Sequence, residues 1–358
     1  MTFGTVTVLT VAGILTTQGC RQVSNSNVDH LPASSVWLIP VDQIHDGGPG
    51  KDGIPALSNP DFIKPEFATY LSDDDLVLGI IVDGEVRAYS HPILDWHEIV
   101  NDVVGGTTVS ITYCPLTGSG IAWDRSFSGS KTTFGVSGLL YNSNLIPFDR
   151  RTGSHWSQMK LQCVNGPLIG QYAQTHKILE TTWKTWKELY PQTSVLSSNT
   201  GYARPYGTYP YGDYKDSDQL FFPISNDDSR LPRKERTLAV ISDGRVRAYP
   251  LSSFSQEIGV VNETFGGTSI VVVGSRGKNF VVAFESTVND QTLVFSPVQH
   301  ELPVVLVDQE GTKWDLLGRA LEGPRKGEEL KPTRSFISYW FALSAFYPGV
   351  EIYRNDEG

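Results

Sequence analysis

Three residues in the first half of the chain have side chains that could work together chemically: Cys114, His97 and Asn101. A cysteine acts as a nucleophile only as its thiolate, and a histidine is the usual group that draws its pKa down from about 8.5. Cys114 follows the largely β-branched run Thr108-Val-Ser-Ile-Thr-Tyr113, which reads as a strand, and opens the loop Pro115-Leu-Thr-Gly-Ser-Gly120. A side chain at such a strand exit can project into a cleft while a rigid sheet holds its base. Over residues 91–104, Ile93, His97, Val100 and Val104 recur at helical spacing. That period predicts a helix with His97 on its packed face and Asn101 one turn further on, close enough to orient the imidazole. Cys114 would then be a nucleophile and His97 its base, in acyl-transfer or thiol chemistry, with Ser137, Trp156 and Gln158 lining the pocket. The same thiolate and imidazole, joined by His91, would alternatively suit a soft metal ion, copper or zinc. No Cys-x-x-Cys or His-x-x-x-His spacing accompanies them. In a third possibility the chain is a non-catalytic cell-surface interaction protein, with Cys114 a packed core residue.

The elements that must position these residues are written twice. Residues 77–89, Val-Leu-Gly-Ile-Ile-Val-Asp-Gly-Glu-Val-Arg-Ala-Tyr, return at 237–249 as Thr-Leu-Ala-Val-Ile-Ser-Asp-Gly-Arg-Val-Arg-Ala-Tyr. Each copy reads as a β-hairpin, because Asp-Gly supplies the positive φ angles of a two-residue turn. The likeness extends from Asn101 to Thr107 against Asn262 to Thr268, and from Asp149 and Trp156 to Asp308 and Trp314. Internal repeats of this kind fix the architecture before any motif does. The chain therefore divides into a repeat unit over 62–197, a Tyr/Gly/Pro-rich linker over 198–221 and a second unit over 222–353. The expected fold is α+β and antiparallel-rich, each unit holding a hairpin, a helix and further strands. The linker is expected to be ordered, with its tyrosines packed across the units.

Duplication also separates scaffold from site, since groups needed for folding should recur and groups needed for chemistry need not. Cys114 faces Ser275 in the second unit, His91 faces Leu251, and His97 faces Glu257 or Ile258. Gln158 faces Leu316, whereas Trp156 is kept as Trp314. The second unit is thus expected to be a degenerate structural partner. Cys163 lies beside Ala320 and Leu321 in the matching stretch and reads as a small buried hydrophobe.

Composition narrows the setting. With 39 acidic against 29 basic side chains, the formal charge of -10 repels phosphate backbones, so nucleic acid is not expected as a partner. Residues 1–20 carry no charge and contain an apolar run that ends in Gly19-Cys20. The run is shorter than the roughly 20 residues a spanning helix needs, so residues 1–20 read as a cleaved signal with Cys20 as the lipidated residue. The expected location is the cell envelope, outside the cytoplasm and anchored to the membrane by lipid, with secretion as second choice. Residues 21–61 would be a tether and a glycine-rich segment, Gly47-Gly-Pro-Gly-Lys-Asp-Gly53. That segment lacks the spacing of a phosphate-binding loop.

Several motifs occur in a fixed order: the glycine-rich segment, Trp96-His-Glu-Ile-Val-Asn-Asp102, Tyr113-Cys-Pro-Leu-Thr-Gly118, Phe134-Gly-Val-Ser-Gly138 and Trp156-Ser-Gln158. Together they resemble the bacterial and archaeal family known as domain of unknown function 3179, over nearly the whole mature chain. The resemblance implies an exported or lipid-anchored protein and carries no activity with it. Many members have Cys-Pro-Leu-Cys where Thr117 stands here, so neither a disulfide within the loop nor a two-thiolate clamp is available to this chain.

Overall fold

Residues 36–127 and 129–354 are described by the computed structural model. The expected signal segment, Cys20 and residues 21–35 of the expected tether lie outside them.

The first half runs β1 (Leu76–Val82), β2 (Glu85–Ser90), α1 (His91–His97), β3 (Ile99–Val104), β4 (Thr107–Cys114), β5 (Ser119–Asp124), β6 (Phe134–Tyr141), β7 (Asn144–Asp149), β8 (His155–Ser157), β9 (Leu179–Thr182) and α2 (Trp183–Leu189). The second half runs β10 (Arg236–Ser242), β11 (Arg245–Pro250), β12 (Gly259–Phe265), β13 (Thr268–Ser275), β14 (Phe280–Glu285), β15 (Phe295–Pro297), β16 (Val304–Asp308), β17 (Lys313–Asp315), β18 (Arg334–Tyr339) and α3 (Trp340–Phe346). The fold is mostly β and antiparallel-rich. The α+β expectation overstates the helices, for the three α-helices among the described residues have seven residues each. None is long and apolar enough to cross a membrane.

The helix expected over 91–104 ends at His97. Glu98 takes φ 57°, which stops the helix, and residues 99–104 pair with β4 from Ile99↔Thr112 to Val104↔Thr107. Ile99, Val100, Val103 and Val104 are β-branched and prefer an extended backbone, so the apolar matches at helical spacing were coincidental. The Asp-Gly expectation agrees with the backbone: Asp83 and Gly84 have φ 46° and 81°, and Asp243 and Gly244 have 48° and 71°.

A nine-stranded sheet carries the order β3-β4-β5-β18-β10-β11 at its centre, so a strand from near the end of the chain pairs with β5 of the first half. A separate sheet holds β6-β7-β8, and residues Ile44–Asp46 add an edge strand to it by pairing with β6. The stretch expected to be a tether is therefore built into the fold from residue 36 onward. Its glycine-rich turn is fastened to β6, where Gly47 N donates to Gly138 O at 2.7 Å and Asp52 N to Val136 O at 2.8 Å. Only glycine suits position 138, whose φ is 82° and where an added Cβ would lie 2.8 Å from the Gly50 backbone. The core between the sheets is aromatic. Trp156 packs against Phe127, Phe134 and Trp123, with ring centroids 4.5, 5.8 and 6.1 Å away.

Candidate functional site

Cys114 ends β4, as its sequence context suggests, but its thiol turns inward. It is 1% exposed and donates to Ser143 O at 3.6 Å. Burial, with the nearby Glu98 charge, pushes the thiol up to about 11, opposite to what a nucleophile needs. His97 does not serve it. A carbonyl can only accept, so Nδ1 donates to Pro55 O at 2.7 Å, and Nε2 accepts from the Tyr206 hydroxyl at 2.6 Å. Both nitrogens are occupied and burial lowers the ring's pKa, so His97 is a neutral post between two loops.

Asn101 lies on β3 rather than a helix, and it orients no histidine. Its Oδ1 accepts from Phe134 N at 2.7 Å and its Nδ2 donates to Phe134 O at 2.9 Å. The sequence-matched Asn262 makes the same two bonds to Phe295, both at 2.8 Å. Trp156 likewise donates to Asp149 at 3.4 Å, as Trp314 does to Asp308 at 3.0 Å. These two residues expected at the site are scaffold. Ser137 bonds to Ile146 O and Leu139 N where β6 and β7 slip register.

Gln158 is fully buried among polar partners. Its Oε1 accepts from Ser119 and from Asn144, each at 2.7 Å, and its Nε2 donates to Thr112 at 3.0 Å and to Ser119 O at 3.1 Å. Asn144 also donates to Thr117, in the turn that follows Cys114. Each polar atom in this web has a partner, so the web fixes the turn without a buried penalty.

His91 sits elsewhere, its ring 4.2 Å from that of Tyr113 and its Nε2 3.6 Å from Glu180 Oε2. The proposed metal set of Cys114, His97 and His91 is therefore not assembled, since each side chain engages a different neighbour. Among the described residues no group of three or more His, Cys, Asp or Glu side chains is placed to hold a metal ion. Cys114 and Cys163 are both free, and Cys163 is buried as expected.

Sequence reasoning passed over Glu98. Its positive φ, just past α1, turns the side chain into a cavity of about 140 Å3. Apolar groups dominate the walls, including Ile54, Leu116, Leu145 and Phe222, and Tyr211 is the other polar side chain. The Tyr211 hydroxyl donates to Glu98 Oε1 at 3.3 Å. Desolvation raises the Glu98 carboxyl to about 7, so it can gain or lose a proton near neutrality. The self-comparison held a partial signal, for the residue matched to Glu98 is Ile258 or Gly259, neither of them acidic. Tyr211 belongs to the segment 198–221, which clamps the Cys114 turn through Tyr209 to Pro115 O at 3.2 Å and Tyr214 to Leu116 O at 3.0 Å.

An apolar cavity with one titratable acid, set in a β-rich scaffold, is the feature that the described residues define. The chain belongs to the family described as Protein of unknown function (DUF3179), whose model matches residues 51–350. No curated protein and no solved structure matches it.

Proposed function

We propose that the chain is an exported, lipid-anchored protein made of two tandem repeat units, and that the first unit holds a small-molecule pocket centred on Glu98 rather than on a Cys114–His97 pair. The observation that carries this reading is the Glu98 carboxyl, buried and raised to about 7 in an otherwise apolar cavity. Apolar pockets with a few convergent polar groups and a perturbed pKa are the usual form of ligand sites. An apolar body bearing one amine fits this chemistry, because an ammonium favours the carboxylate that burial disfavours. Leu116, in the turn that follows Cys114, lines the pocket, and the Cys114 thiol is packed in the core.

Butylamine, butanol and butyrate, of similar size and different charge, test the pocket by ligand-observed NMR and melting temperature. Butylamine should bind best, more tightly above pH 7 than below it, and Glu98→Gln should remove that preference. Equal binding of all three, or an unchanged preference in Glu98→Gln, would overturn the reading. The lipid anchor is supported by the uncharged run ending at Cys20. Metabolic labelling with a palmitate analogue should disappear in Cys20→Ala. The tandem repeat is supported by the paired bonds of Asn101 and Asn262, each reaching 33 residues ahead in the chain.

A further inference from the structure

A second cavity, of about 310 Å3, opens on the other side of α1, between the loop before β1, the 198–221 segment and the end of β18. Its volume lies at the lower end of the roughly 300–1,000 Å3 typical of small-ligand sites. Asp74 and Lys215 stand at the rim and Asp95 lies within. None of these three makes a salt bridge or side-chain hydrogen bond among the described residues. The Lys215 ammonium rests 5.1 Å from the Tyr209 ring centroid, an arrangement that cations favour. His91 also lines the cavity; it is buried, and its Nε2, which makes no hydrogen bond, lies 3.6 Å from Glu180 Oε2. Tyr113 and Tyr339 complete the wall with aromatic faces and hydroxyls.

Burial pushes the Asp95 carboxyl up to about 8 although the Lys215 charge acts on it, so a ligand cation there would favour its ionised form, while Lys215 at the rim offers a charge to an anion; a zwitterion supplies both. We propose that this cavity binds a free α-amino acid, with the ligand ammonium at Asp95 and Asp74 and the ligand carboxylate at Lys215. The ligand ammonium holds the Asp95 carboxyl in its charged form, and the ligand carboxylate meets the Lys215 ammonium in the same event. An ammonium and a carboxylate on one ligand satisfy both ends, whereas a simple amine or a simple acid satisfies one. The tyrosine faces leave room for a side chain without demanding charge from it.

Calorimetry and melting-temperature shifts on the whole folded chain test this with L-alanine, L-glutamine and L-phenylalanine at millimolar concentration. At least one should bind, and its amide and its deamino acid should each bind at least tenfold more weakly. Lys215→Met should erase the difference between amino acid and amide. Asp95→Asn should erase that between amino acid and deamino acid. Glu98→Gln, which removes a charge that acts on Asp95, should still leave the ranking of amino acid over amide and deamino acid in place, which separates this cavity from the one at Glu98. Circular dichroism and melting of each variant distinguish lost binding from lost folding, and Lys215, being exposed, can be replaced without disturbing the core. No binding by any of the three amino acids, or equal binding of amino acid, amide and deamino acid, would overturn the proposal.

Discussion

Behind the Cys114 turn, Gln158 joins Thr112, Ser119 and Asn144 through four hydrogen bonds. In the second half the positions matched to Gln158, Thr112 and Ser119 hold Leu316, Val273 and Phe280, all buried. Apolar residues therefore close a β4-β5 type turn adequately, and the polar web is not required for that packing. It does something the apolar version does not: it ties the backbone of the turn to β7 and β8 by directional bonds. Oily packing tolerates small slips, whereas a satisfied hydrogen-bond network specifies one arrangement. Next to the web lies Glu98 and its cavity, while at the matched position stands Ile258 or Gly259. What differs is the buried acid and the polar web, for the second half keeps a cavity of about 500 Å3 beside the matched turn, lined by Ile258, Ser275 and Gly277 among others.

The comparison can be broken most forcefully at Gln158. Gln158→Leu, which installs the residue of the second half, leaves several buried groups unpaired and should destabilise the chain by about 3–5 kcal/mol in urea titration. Adding Thr112→Val should then cost less than the two single effects summed, by about 1 kcal/mol. A cost below that of an ordinary surface change would mean the web carries no stability.

Glu98→Gln should act next, and with a pH signature. The folded carboxyl holds its proton up to about 7 against an ordinary value of 4.5. A raised carboxyl lends stability below the unfolded pKa and loses it as pH rises through the folded one. The wild type should therefore weaken between pH 4.5 and 7 by up to about 3 kcal/mol relative to Glu98→Gln, and the two should coincide in more acidic solution. Parallel stability curves would place Glu98 in water.

The paired asparagines sharpen the contrast on a smaller scale. Asn101→Ala strands the Phe134 N–H in a dry setting and should cost about 2–3 kcal/mol. Asn262 is exposed, so water can replace its bonds, and Asn262→Ala should cost about 1 kcal/mol. Equal losses would show that burial does not separate the two sites. Least of all should the thiol respond. With its pKa near 11, Cys114 is thiolate on the order of once in ten thousand molecules at pH 7, and iodoacetamide labelling of native protein should be far slower than that of a free thiol. Rapid labelling would restore a nucleophilic role.

Much of the scaffold was legible in the sequence. The Asp-Gly turns, the strand that ends at Cys114 and the contrast between Gln158 and Leu316 could all be read from residue types and self-comparison. The stretch 91–104 was not, because β-branched Val100 and Val104 satisfy a helical period as well as a strand, and only the pairing with β4 decides between them. Cys114 and His97 suit each other chemically, yet the direction of a side chain follows from contacts far along the chain. His97 is claimed by Tyr206 and Cys114 by Ser143. Glu98 was hidden differently. It sat inside a recognised motif, and its importance comes from a backbone angle that residue type does not announce. Tyr211 and Lys215 have no counterpart in the second half, so self-comparison could say nothing about them.

The pairing of β18 with β5, together with the bond from Tyr339 N to Thr117 O at 2.7 Å, has a consequence for biosynthesis. The loop after Cys114 borrows part of its surroundings from residues 334–339, so it cannot settle until they have been made. Contacts across such a span raise the entropic demand of folding and slow it. A stop codon at residue 335 would strip the earlier-made half of a supporting neighbour, and the damage would be felt in a region synthesised more than two hundred residues before it.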